Sequence, residues 1–219
     1  MTEPKTVSAA APAPQQARSR ATLERLLLAT IQALDAGGLD AALVPAIAQR
    51  AGVAPASIYR RFRDKDALLR AAFLHVLELS QQGNRERLPR LLLRPTLEAS
   101  ARRLIALVLA QYRQHPHLLR ALQRFVEADG DGPFAREVRA KMAANVDTIV
   151  AALLPLRAEI AQRAPAKALR FAVLQAFSAA EAYALEQASV WHTAPRILPK
   201  EFAAQLTRAF VAYLRYAPR

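Results

Sequence analysis

The chain has 219 residues, 53% of them apolar and none of them cysteine, and it carries a formal charge of +13. The apolar fraction is enough for one large or two small buried cores and excludes disorder for the bulk of the chain. The missing thiols exclude a disulfide framework, a thiolate metal site and a cysteine nucleophile. The positive excess points to a polyanionic partner, but its distribution tempers that inference. Residues 18–75 hold nine basic and five acidic side chains, and residues 76–219 hold twenty-one and twelve. For this C-terminal share, a solvated Arg-rich surface is the alternative to a binding face. Only six glycines, with abundant Ala, Leu and Arg, predict an all-α fold. No stretch approaches the roughly 20 apolar residues of a membrane span, so a soluble, cytoplasmic protein is expected.

Residues 1–17 lack an apolar run and are rich in Ala, Pro and Gln, which predicts a disordered tail rather than a secretory signal. From Arg18 to Ala36, Leu23, Leu27, Ile31 and Leu34 recur at helical spacing. Gly37 and Gly38 end that helix. Two short helices follow. The first is Pro45–Arg50; the second opens at Pro55, after the turn Ala51-Gly52-Val53, and ends near Phe62, each with Pro in its first turn. Asp64 caps a longer helix carrying Leu68, Leu69, Ala72, Phe73, Val76 and Leu77. Gly83-Asn84, Pro89 and Pro95 predict that this helix frays after about residue 82 into a connector. Later helices are expected at Thr96–Gln114, His117–Ala128, Phe134–Leu154, Pro165–Val190 and Pro199–Tyr216, about nine in all. The last two are apolar over more than one face, which suits a dimer seam.

Two short helices joined by Ala-Gly-Val inside a three-helix unit have the layout of a helix-turn-helix, whose second helix enters the major groove. The run Ile47-Ala48-Gln49-Arg50-Ala51-Gly52-Val53-Ala54-Pro55-Ala56-Ser57-Ile58-Tyr59-Arg60-Arg61-Phe62-Arg63-Asp64-Lys65-Asp66-Ala67-Leu68-Leu69 closely resembles the signature of the TetR family of transcriptional regulators. The resemblance covers about residues 18–75. It implies a helix-turn-helix domain over 18–63, a connecting helix over 64–82 and an effector-binding and dimerisation domain over 83–219.

Within that frame, Gly52 permits the turn, while Ile47, Val53, Ile58, Phe62 and Leu68 fill the small core that holds the recognition helix. Tyr59 offers a hydroxyl and a ring to phosphate. Arg60 is the preferred base reader, because an Arg binds guanine O6 and N7 in bidentate fashion, with a backbone contact as the alternative. Arg61 stands where the family usually has His or Tyr and is expected to meet phosphate. Lys65 matches a family lysine that touches phosphate. Pro55, Ala56 and Ser57 lead the recognition helix, and Arg18 and Arg20 precede the first helix as strand anchors or as solvated charges. Three departures from the family pattern bear on the DNA face: Val44-Pro45 replaces a capping Thr and Ala54 replaces Ser, each removing a hydroxyl, and Ala56 replaces Gly, which makes the approach to the groove slightly bulkier.

The resemblance also implies a small-molecule effector bound among the later helices and a homodimer formed through the last two long ones. Tyr112, Phe125, Phe134, Met142, Asn145, Phe177 and Glu181 are the candidate effector contacts, with ordinary core packing as the competing role for the aromatics. Glu181, amid Phe177, Ala180, Ala184 and Leu185, needs a cation, an Arg or a dimer partner if it is buried. The expected function is a repressor that a small molecule releases from a palindromic double-stranded operator. The alternative is a ligand-independent architectural DNA-binding protein. His75, His115, His117 and His192 show no metal spacing, and there is no phosphate loop or nucleophile elbow, so neither an enzyme nor a cofactor is expected.

Overall fold

The computed structural model describes residues 14–186, 188–193 and 195–217. Its elements are α1 (Pro14–Ala41), α2 (Val44–Ala51), α3 (Pro55–Tyr59), α4 (Lys65–Leu92), α5 (Leu97–Gln114), α6 (Pro116–Asp129), α7 (Pro133–Leu153), α8 (Pro165–Ala184) and α9 (Pro199–Arg215). Short 3₁₀ turns lie at Leu154–Glu159 and Val190–His192, and no strand occurs among the described residues. The all-α expectation and the number of helices therefore hold.

Most helix ends follow from local chemistry. Asp64 caps α4 by accepting from the Ala67 amide at 2.7 Å, and Thr96 caps α5 by accepting from Ala99 at 3.2 Å. Gly52 closes α2 in the left-handed region, at φ 65°; beyond it the Val53 amide donates back to Ala48. Gly37 and Gly38 interrupt α1, the second at φ 67°, and a Cβ on Gly38 would stand 3.8 Å from the His117 carbonyl oxygen. This is the predicted end of the regular first helix, followed by one more turn to Ala41.

Several boundaries differ from expectation. α1 is helical from Pro14, so the last four residues of the expected 1–17 tail belong to it; the remainder of that tail lies outside the described residues. α3 stops at Tyr59 rather than near Phe62, although the Arg60, Arg61 and Phe62 amides still bond back to Ala56 and Ile58. α4 does not fray at residue 82 but runs unbroken to Leu92. Gln81 Nε2 donates to the Lys141 carbonyl at 2.8 Å, Asn84 Nδ2 to Asn145 Oδ1 at 3.3 Å, and Leu88 and Leu92 are buried. Packing against α7 thus outweighs the weak helix preference of Gly83, while Pro89 falls in the last turn, where little of the helix remains for it to break. α8 ends at Ala184, short of the expected Val190. There Arg120 Nε takes the Leu185 carbonyl at 2.9 Å, and Trp191 folds back edge-on against Phe202.

The helices bury two apolar cores. One gathers Leu26 and Leu34 of α1, Ile47 of α2, Ile58 of α3 and Leu68, Leu69 and Phe73 of α4, together with Leu118 and Leu122 of α6 and Phe134 and Val138 of α7. The other holds Leu88 and Leu92, Leu97 to Leu109 of α5, Val146 to Leu153, and the inner faces of α8 and α9. The expected division of the chain at residues 63 and 83 is therefore not a division of the cores. α6 and the start of α7 complete the N-terminal one, and α4 and α7 run through both.

Candidate functional site

The N-terminal unit presents α3 outward on a rigid base. Ile58 is fully buried, which fixes the roll of the short helix, and Tyr59 on the far side is 56% exposed. Pro55, Ala56, Arg60 and Arg61 are exposed, and Ser57 is half-buried. Arg60 Nη2 donates to Ser57 Oγ at 2.8 Å, so the preferred base reader is held along the helix it belongs to. Both terminal nitrogens of Arg61 lie 3.2 Å from Ser19 Oγ. That contact brings the first exposed turns of α1, with Arg18 and Arg20, beside the end of α3. Lys65 Nζ donates to the Leu39 carbonyl at 3.4 Å and is half-buried at the foot of α4. Seven of the nine DNA candidates are exposed, on α3, the turn after it and the start of α1, with Ser57 and Lys65 half-buried among them. No side-chain cap holds the start of α2, in keeping with Val44-Pro45, and none holds α3.

Ser19 carries the cross-helix contact to Arg61 and was not among the residues singled out from sequence. An isolated serine in the first helix gives no signal that it pairs with a residue 42 positions later.

Two polar links tie this unit to the rest of the chain. His115 Nδ1, at the start of α6, lies 3.0 Å from both carboxylate oxygens of Asp35 on α1. Arg70 of α4 donates to Asp129 Oδ1 at 2.6 Å, and its guanidinium stands 5.3 Å from the Phe134 ring centroid. Asp129 also accepts from the Ala135 amide at 3.0 Å. This amide bond, followed by Arg70, holds the Asp129 carboxyl below the usual carboxylate range.

The seven effector candidates separate. Phe125 and Phe134 do not face a vacant pocket: they close a triangle with Phe73, at centroid distances of 5.3, 6.3 and 6.4 Å, inside the N-terminal core. Met142 is 45% exposed on the surface of α7. Asn145 is occupied by Asn84. Tyr112, Phe177 and Glu181 remain together between α5 and α8. Burial, and then the Glu181 charge, push the Tyr112 phenol above the ordinary tyrosine range. Burial, reinforced by Glu186 and Glu127, raises the Glu181 carboxyl. The aromatic periodicity of α6 and α7 that suggested a pocket is thus mostly core.

Two concavities of similar size are lined by none of the seven. One, of about 390 Å³, lies between Gly37–Asp40 and α6. The other, of about 360 Å³, is an apolar groove between small residues of α8 (Ala172, Ala176, Ala179) and Gln205, Leu206 and Ala209 of α9. Beside it on α8, Phe171 and Leu174 are exposed. No helix among the described residues is long and apolar enough to cross a membrane.

Residues 26–72 match the family model for bacterial regulatory proteins of the tetR family. Solved structures share the fold along nearly the whole chain. A candidate TetR-family transcriptional regulator from Mesorhizobium loti aligns at a TM-score of 0.63 and 21% identity, covering 90% of this chain and 95% of its own. A tetR-family regulator from Streptomyces coelicolor gives 0.60 and 18%, covering 89% and 80%. The transcriptional regulator FadR from Bacillus subtilis, in complex with stearoyl-CoA, gives 0.58 and 15%, covering 90% and 99%. The comparison with curated protein sequences gives no match.

Proposed function

We propose that this chain, whose residues 26–72 match the tetR-family model and whose fold is shared with TetR-family regulators, is a homodimeric repressor that leaves a palindromic operator when a small molecule binds its C-terminal helices. The observation that carries this reading is the outward face of α3. Tyr59 and Arg60 project from a helix whose opposite side is locked by Ile58, and Arg61 joins them to the start of α1. Arg60 reads a base, while Tyr59, Arg61, Lys65, Arg18 and Arg20 hold phosphates; Pro55, Ala56 and Ser57 meet the groove by apolar and hydroxyl contact.

Pairing of two copies through α8 and α9 is supported by the exposed Phe171 and Leu174 and by the apolar groove beside them. The reading requires of such a dimer that its two α3 helices stand about one turn of DNA apart. The effector contacts are Tyr112, Phe177 and Glu181. That FadR, of the same fold, holds stearoyl-CoA supports ligand control by this architecture. The effector shifts α4, and α4 resets the separation of the recognition helices.

The test is a fluorescence-anisotropy salt series with the duplex protected in a footprint of the DNA flanking the protein's own gene, against a scrambled duplex. A repressor prefers its site by about 10³-fold or more; an architectural binder shows little preference. The double variant Tyr59→Ala, Arg60→Ala is expected to abolish that preference. Unchanged operator affinity in it, or a monomer by light scattering, overturns the proposal.

A further inference from the structure

The 390 Å³ cleft between the N-terminal unit and α6 has the makings of a second site. One wall is formed by Gly37, Gly38, Leu39 and Asp40; the other is a single face of α6, bearing His117, Arg120 and Arg124, with Leu185 also in the lining. The spacing of three and then four residues puts the imidazole and the two guanidiniums on the same side of the helix. Arg120 is half-buried, and its Nε is committed to the Leu185 carbonyl at 2.9 Å. Its terminal nitrogens, and every side-chain nitrogen of Arg124, have neither a hydrogen-bond acceptor nor a carboxylate within ion-pair distance among the described residues. Nearby carboxylates do not supply one: Asp40 lies across the cleft, Glu127 is a turn further along α6, and Glu186 follows Leu185. His117 sits in the first turn of α6, whose start no side chain caps, where the helix dipole favours negative charge.

Guanidinium nitrogens left without a partner beside a concavity match the geometry and charge of phosphate oxygens. The cleft is several times larger than a phosphate needs and falls within the range of small-molecule sites. Asp40, an acceptor on the opposite wall, suits a hydroxyl group rather than a second anion.

We propose that this cleft binds a phosphate monoester with a hydroxylated organic part, the phosphate held by Arg120, Arg124 and His117 and a hydroxyl by Asp40. The site bridges α6 and the end of α1, so its occupant ties the DNA-binding unit to the remainder of the chain. None of Tyr112, Phe177 and Glu181 lines it, and neither does any residue of α3.

Isothermal titration of the full-length protein, freed of nucleic acid and held at constant ionic strength with potassium chloride, tests the assignment. The probes are glucose 6-phosphate, inorganic phosphate, glucose and citrate. Saturable binding of one glucose 6-phosphate per chain is expected, with inorganic phosphate weaker and glucose silent. Arg124→Gln, a change at an exposed side chain, is expected to weaken the phosphates by about tenfold or more, the loss of a charge-assisted hydrogen bond. Arg113→Gln, on α5 outside the cleft, leaves binding intact. Arg120→Gln, checked for folding by circular dichroism, repeats the loss at the second guanidinium. Absence of saturable binding by both phosphates, equal loss in Arg113→Gln, or citrate binding more tightly than either phosphate overturns the proposal. Because no DNA is present, any of these results leaves the operator reading untouched.

Discussion

Phe73 is the side chain on which the join between the two cores can be tested. It is fully buried on α4 and stands 5.3 Å from the Phe125 ring and 6.3 Å from Phe134. Phe73→Ala removes the ring and leaves a cavity at a cost of about 3–5 kcal/mol. The loss of two tilted aromatic contacts, each worth about 0.5–1.5 kcal/mol, puts the change at the upper end, about 5 kcal/mol. With a urea m-value of about 2.5 kcal/mol per molar, the midpoint falls by about 2 M. The assay is urea unfolding at fixed protomer concentration, followed by far-ultraviolet circular dichroism and by fluorescence of Trp191, the sole tryptophan. Trp191 packs against Phe202 in the other core, so it reports a region that Phe73 does not touch. Since α4 and α7 cross both cores, the two signals are expected to move together. A loss below about 2 kcal/mol refutes the packing argument. A Trp191 transition that stays in place while the dichroism shifts refutes the coupling of the cores.

Three further outcomes follow from polar and backbone features. The native Asp129 carboxyl titrates below its unfolded value because of the Ala135 amide and Arg70. Its stabilisation is therefore complete above the unfolded aspartate pKa of about 3.9 and is lost as the pH falls through the lower native one. Asp129→Asn is expected to lower the urea midpoint at neutral pH and to flatten its decline in acid. Glu181 has the opposite sign, since burial raises its native pKa. The folded state holds the proton more tightly, and stability falls as the pH rises through that raised value. Glu181→Gln should then be more stable than wild type at neutral pH, an advantage that vanishes below about pH 4, as read from thermal midpoints across pH. At Gly52, φ is +65° and a Cβ meets nothing within 4 Å. Gly52→Ala is expected to cost about 1–2 kcal/mol through backbone conformation alone, measured by urea midpoint, and to leave the elution volume of the protein unchanged.

What the sequence disclosed was what a few adjacent residues decide. Asp64 and Thr96 cap their helices within three residues, and Gly52 turns α2 toward α3 through bonds to Ala48 and Gln49. The helix-turn-helix, with its exposed Tyr59 and Arg60, was legible for that reason. Features resting on distant partners were not. The persistence of α4 through Gly83 depends on Lys141 and Asn145, some 60 residues further on. Phe125 and Phe134 read as pocket aromatics because nothing local announces Phe73 as their neighbour. The Asp35–His115 contact spans 80 residues, and Arg120 and Arg124 of α6 come to line a cleft only because the end of α1 is laid across them. The overextended reading of α8 had another source: the apolar residues from Leu169 to Leu185 are followed by no Gly or Pro before Val190 that would mark a stop, yet the helix ends at Ala184 and Trp191 rests on Phe202.

The unbroken course of α4 has a mechanical corollary. Twenty-eight residues at about 1.5 Å each make a strut about 40 Å long, with no soft joint at the glycine where one would be sought. Tilting such a strut by about 5° at the Leu92 end sweeps the Lys65 end through roughly 3.5 Å, close to a single base-pair step of about 3.4 Å. Under the proposed function, an input too slight to see as a rearrangement among the C-terminal helices would be amplified by leverage to the grain size of the double helix itself.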